Sequence, residues 1–188
     1  MQQMTDVHIQ DLAFDTGAAA AGLPFLVQVH RLSATLADQW LEKMVQVGLD
    51  KLAGQLPLEI THESSQFVGN GAEVTVKVKK GFFSTSATVC LEVAGAGPNR
   101  ILARVAAIRI LGTLPVEGLL SPLVEMALDR AVQSPGIVRH PTDPRAVLLD
   151  PNRVLQTHGV PLQFADSAVW SVLGQPEGLV LKVGQAPV

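Results

Sequence analysis

The sequence predicts an α+β domain that combines an antiparallel meander with two long amphipathic helices. Three observations carry this. Segments with period-two alternation follow one another across short Gly- and Asn-marked turns between Leu58 and Leu111. Two further segments, near 34–56 and 115–133, spread apolar residues over more than half of a helical wheel. The chain has 188 residues, 47% of them hydrophobic and 16% charged, enough apolar material for one large core and a single domain over 1–188.

Val7 to Phe14 reads as a first strand, and Asp15 to Gly22 as a loop of small residues. From Leu23 to Leu32, Phe25, Val27 and Val29 alternate with Gln28 and His30, the pattern of a strand with one buried face. Ser33 suits the N-cap of a helix from Ala34 to Leu56, stopped by Pro57. Its apolar arc includes Leu36, Trp40, Leu41, Met44, Val45, Val47, Leu49 and Leu52.

Asn70-Gly71 signals a hairpin, after which Val74, Val76 and Val78 alternate with Thr75, Lys77 and Lys79. Gly81 marks the next turn, "FFSTSATVCLEV" the next strand, and "AGAGPN" another turn. On strict alternation the strand Ile101–Leu111 is apolar on both faces. Ile101, Ala103, Val105 and Ala107 take one side; Leu102, Ala106, Ile108 and Ile110 take the other, broken by Arg104. Such a strand should be covered on both faces or face a ligand on one.

The second helix enters near Pro115, and either starts at Pro122 with Ser121 as cap or kinks there. "RAVLLD" reads as a strand. "DPNRVLQTHG" is a short helix with Asp150 as cap, Pro151 at its first position and Gly159 as stop. "PLQFADSAVWSVLG" and "GLVLKVG" form a closing hairpin.

Composition excludes several functions. A net charge of −3 gives no footprint for nucleic acid or an anionic membrane, both of which want a basic patch, and the absence of Tyr argues against base-stacking platforms. The N-terminus lacks a basic region followed by an apolar one, so the expected location is the cytoplasm. The lone Cys90 sits in a strand and reads as an inert buried thiol. The five histidines show no metal-ligand spacing, no nucleophile elbow or phosphate loop is present, and "GNGAEV" is a hairpin turn. The reading is of a protein without catalytic constellation, metal or cofactor.

The segments "IRILGTLPVEGLLSPLVEMALDRAV" and "AVLLDPNRVLQTHGVPLQFADSAVWSVLGQPEGLVLKV" carry a resemblance. Together with the order strand, long helix, antiparallel strands, broad helix, late strand, short helix and final hairpin, they resemble the tubular lipid-binding (TULIP) superfamily. The resemblance implies a strongly curved antiparallel sheet wrapped around one or two long amphipathic helices, with an apolar slot for acyl chains. It implies non-enzymatic binding or carriage of a lipid or fatty-acyl ligand, with transient membrane contact. The residues expected to line the slot are Trp40, Met44, Val105, Ile108, Leu119, Leu123, Met126 and Trp170. Arg104, Arg109 and Arg130 are the candidates for an anionic headgroup. The alternative is an assembly module whose apolar surplus forms a homodimer or partner interface.

Overall fold

The computed structural model describes residues 6–17, 26–52, 58–111 and 117–185. Along the chain the elements are β1 (Val7–Gly17), β2 (Leu26–Leu36), α1 (Asp38–Leu52), β3 (Glu59–Val68), β4 (Gly71–Lys80), β5 (Phe83–Gly95) and β6 (Ile101–Leu111). They continue as α2 (Glu117–Ala131), β7 (Ile137–Arg139), β8 (Ala146–Leu149), α3 (Pro151–Thr157), β9 (Leu162–Phe164), β10 (Ala168–Gln175) and β11 (Gly178–Gln185). The strands build two sheets. One has the order β1-β2-β11-β10, with β9 lying parallel to the start of β2; the other has the order β3-β4-β5-β6-β8-β7.

This corrects the expected architecture. Among the described residues no long helix is enclosed by one curved sheet, and the structure is mostly β, two sheets with short helices, in place of the expected α+β class. The two longer helices have 15 residues each, about 22 Å at 1.5 Å per residue. The apolar surplus is divided between two cores. In the second sheet Val74, Val76, Val78 and Ala87 are buried, with Val45 and Leu49 of α1 packed on them. In the first sheet Val29, Phe164, Ala168, Trp170 and Val183 form a separate cluster, closed by Leu155 of α3 and Leu162.

The first helix also starts later than its sequence suggests. β2 runs on to Leu36, and Ser33, expected as an N-cap, sits mid-strand opposite Asp11 and Lys182. Its hydroxyl donates to Gln10 Oε1 at 3.3 Å. Sheet pairing on both sides of β2 outcompetes the local helix signal of "SATLADQ", since strand hydrogen bonds there are made with both β1 and β11. The loop expected at 15–22 begins with three further strand pairs, Asp15↔Gln28, Thr16↔Val27 and Gly17↔Leu26, and the rest of it lies outside the described residues. α2 continues through Pro122, with Ser121 inside the helix and not capping it.

Other elements follow the sequence closely. The β3–β4 turn falls at Gly69-Asn70, one residue from the expected Asn70-Gly71. Asp150 caps α3, its side chain accepting from the Arg153 N–H at 3.2 Å, with Pro151 at the first position. Trp170 belongs to the final hairpin, as expected, and its ring meets Phe164 edge-on with centroids 4.8 Å apart.

The two sheets meet where β10 passes the end of β5. The Asn99 N–H donates to the Ala168 carbonyl at 2.7 Å, and Trp170 Nε1 donates to Asn99 Oδ1 at 3.3 Å. A side chain at Gly95 would overlap the Trp170 carbonyl, and one at Gly174 would overlap the Gly69 carbonyl.

Candidate functional site

β6 carries the register that makes the site. Cys90 pairs with Ala107 but Leu91 pairs with Val105, so Ala106 is an extra residue on β6, a bulge. A bulge reverses the alternation beyond it. Val105, Ile108 and Ile110 therefore share one face, while Arg104, Ala107 and Arg109 share the other. The strand that strict alternation makes apolar on both faces is apolar on one. This corrects the expectation that drew Val105 and Ile108 to opposite sides.

The apolar face continues across the sheet. Val105 stands opposite Leu91, Ile108 opposite Val89, Val89 opposite Val74, and Ala87 opposite Val76. Above this floor α1 and α2 leave a trough with a cavity of about 320 Å³, open to solvent. Its floor is Ile60, Val74, Val76, Val89, Leu91 and Val105; one wall is Val45, Gly48 and Leu49, the other Val124, Ala127 and Leu128. Every one of these side chains is apolar.

Both walls are built on the same spacing. "VQVGL" in α1 and "VEMAL" in α2 each place Val, a small residue and Leu at i, i+3 and i+4, adjacent on one helix face. The small residue of each triplet, Gly48 or Ala127, withholds side-chain bulk at the middle of its wall. This repeated signal is present in the sequence but is hidden when apolar residues are counted around a full wheel.

Of the eight residues expected to line a slot, Val105 lines the trough, and Ile108 packs on the same face beside it. Trp40 is half-buried on α1 and outside the lining among the described residues. Met44 is 46% exposed. Met126 is half-buried on a neighbouring face of α2, whose trough side is presented by Val124, Ala127 and Leu128. The side chains of Leu119 and Leu123 lie outside the described residues. Trp170 is buried in the core of the other sheet.

The expected headgroup arginines are not brought to the trough. Arg104 pairs with Glu92 at 2.7 Å and Arg109 with Glu73 at 3.0 Å, both on the opposite face of the sheet. Beneath that second pair lies Cys90, buried, its Sγ 3.8 Å from Glu73 Oε1. Burial pushes the thiol up from its ordinary value of 9.0, and Glu73 adds to this while Arg109 opposes it. Arg130 is exposed in the last turn of α2.

Two polar atoms on the trough's face were not anticipated. His62 pairs with Val76 and Ser65 with Val74, and the His62 Nε2 and Ser65 Oγ atoms are buried without a hydrogen-bond partner among the described residues. Buried polar groups are generally hydrogen-bonded, so water or a ligand's polar end is the natural partner of each. Among the described residues no group of three or more His, Cys, Asp and Glu side chains converges, and no helix is long and apolar enough to cross a membrane.

No family model matches the chain, and no significant match is found to a curated protein or a solved structure.

Proposed function

We propose that the protein binds a long-chain apolar ligand, such as a fatty-acyl chain, in the trough between α1, α2 and the sheet of β3–β6. The observation that supports this most is the lining. A cavity of about 320 Å³ bounded by apolar side chains alone falls at the lower end of the roughly 300–1,000 Å³ range of small-molecule pockets. Taking the ~30 Å³ share of a water molecule as the measure, it has room for about ten carbons.

The physics favours exchange over permanent capture. About 0.8 kcal/mol per buried methylene gives on the order of 8 kcal/mol gross for ten, against association costs of roughly 4–15 kcal/mol. A chain drawn from a bilayer was already out of water and gains less. The polar end of such a ligand would find acceptors and donors in His62 and Ser65 at the β3 side of the face, rather than in the three arginines.

Native mass spectrometry of the purified protein, with titration by a fluorescent fatty acid, tests this reading. Recovery of acyl-chain mass or saturable one-to-one uptake is the expected result. Protein free of adducts that takes up no probe would refute it.

A second reading has its own observation. β1 is an edge strand of the first sheet, and Ile9 and Phe14 are at least half exposed on it, with Val7 and Leu12 also exposed. An apolar edge with no further strand beside it among the described residues suits pairing with β1 of a second copy. Light scattering across a dilution series decides: a dimer lost on Ile9→Lys supports it, and a monomer at all concentrations refutes it.

A further inference from the structure

The β4–β5 hairpin ends in "KKGFFS". Gly81 and Phe82 form the turn. Phe82 is fully exposed and Phe83 is 66% exposed, two large aromatic side chains adjacent at the hairpin end. Isolated apolar residues on a surface are ordinary; an adjacent aromatic pair at a hairpin tip is a patch with a direction.

Charge tells what the tip meets. From Val74 to Leu91 the chain has three lysines, Lys77, Lys79 and Lys80, and no acidic residue, in a protein whose net charge is −3. All three lysines are exposed, and Lys79 has Glu59 at 3.5 Å as a neighbour. At about 3.3 Å per strand residue, they stand within roughly 13 Å behind Gly81. Interfacial aromatic and aliphatic side chains sink about 5–10 Å into the boundary between headgroups and acyl chains. Lysines set back by this distance then lie at the level of the phosphates.

We infer that the tip of the β4–β5 hairpin docks on an anionic lipid bilayer, Phe82 and Phe83 inserting and Lys77, Lys79 and Lys80 facing the headgroups. The partner is a negatively charged membrane surface rather than a protein, because two exposed aromatic side chains and three exposed lysines meet at one hairpin end, the combination of apolar and cationic groups that an anionic bilayer takes. Phe83 lies on the same face of the hairpin as Val76 and Val78, since Lys80 pairs with Phe83 as Val78 pairs with Thr85. The trough's apolar face therefore leads toward the docked end. Docking itself does not require the trough to be occupied, and the two are read by different measurements.

Flotation of the full chain with phosphatidylcholine vesicles, with and without phosphatidylglycerol, tests the inference. The chain should float with the anionic vesicles only, and added salt should release it. Phe82→Ser/Phe83→Ser should lower the partition coefficient at least about tenfold, since each exposed Phe loses its transfer into the interface. Lys79→Gln/Lys80→Gln should lower it roughly five-fold per lysine. Circular dichroism verifies that the variants fold. Should the double Phe variant not fold, Phe82→Trp replaces it, and brominated lipid should then quench its emission beyond that of the wild type. The inference fails if the wild type does not float with anionic vesicles, or if the double Phe variant folds and floats equally well. It also fails if the Phe pair proves to drive self-association of the chain without vesicle binding.

Discussion

The side-chain amide of Asn152 takes both backbone polar groups of Phe164. Asn152 Nδ2 donates to the Phe164 carbonyl at 2.9 Å, and the Phe164 N–H donates to Asn152 Oδ1 at 2.7 Å, with both residues buried. The pair fastens the first turn of α3 to β9 and seats Phe164 edge-on against Trp170. Asn152→Ala strands a donor and an acceptor away from water, at about 1–3 kcal/mol each. We expect a loss of about 3 kcal/mol by urea denaturation. Asn152→Asp keeps one acceptor but turns a carboxylate oxygen on the Phe164 carbonyl, and should fare no better than Ala. A loss below about 1 kcal/mol for Ala would mean the amide pair is not holding α3.

Small residues in the trough walls offer a test that need not disturb the core. A side chain added at Gly48 meets nothing within 4 Å. Gly48→Ala should stabilise α1 by about 0.5–1 kcal/mol, the usual gain over a helix-interior glycine. Ala127→Trp should fill the trough from the other wall. Uptake of a fluorescent fatty acid should fall at least about tenfold while the melting temperature holds or rises. Unchanged uptake in Ala127→Trp would place the ligand elsewhere.

Cys90 should be a quiet thiol with a pH signature. Its folded form holds the proton above the ordinary value of 9.0, chiefly through burial. The unfolded chain releases that proton first, so Cys90 favours folding fully below pH 9.0 and loses this contribution as pH rises further. The stability difference between wild type and Cys90→Ala should therefore shrink above pH 9.0 in urea titrations. Iodoacetamide at neutral pH should label the native protein far more slowly than the unfolded one. Arg109→Gln, which removes the one opposing charge, should slow native labelling further.

The bulge at Ala106 can be tested by deletion. Without residue 106, Val105 and Ile108 stand two positions apart, so strict alternation keeps Val105, Ile108 and Ile110 on the trough floor and Arg104, Ala107 and Arg109 on the charged face. The pairs that flank the bulge then run on without a break, and Arg109 keeps Glu73. We expect the deletion variant to retain a cooperative melt by circular dichroism. Loss of that melt would show that residue 106 is not a dispensable extra residue and would overturn this register.

That same residue marks where the sequence was legible and where it was not. Turns and caps announce themselves locally. Asn70 and Gly81 flag hairpin ends, and Asp150-Pro151 opens α3, because each depends on neighbours within a few positions. The bulge depends on what β5 offers opposite, and nothing within "RVAAIR" reveals it. One extra residue made β6 seem two-faced and set Arg104 beside Ile108. Ser33 misled for a related reason: its capping signal is local, but pairing of β2 with β1 and β11 decides the backbone there. The repeated Val-x-x-small-Leu of α1 and α2 was readable, yet it becomes meaningful only once both helices stand over one floor. The broad apolar arcs suggested helices enclosed by a sheet, whereas their surplus is shared between the trough and outward positions such as Met44 and Val47.

The tight approach of Gly174 to the Gly69 carbonyl, with Asn99 bridging to Ala168 and Trp170, bears on how the molecule comes apart. These contacts join the turn of β3–β4 and the end of β5 in one sheet to β10 in the other. Strand β10 is made late in the chain, so the earlier meander waits for it before its own turn is clamped. The two sheets should exchange their amide hydrogens in one shared opening event, and Gly174→Ala should split that event in two.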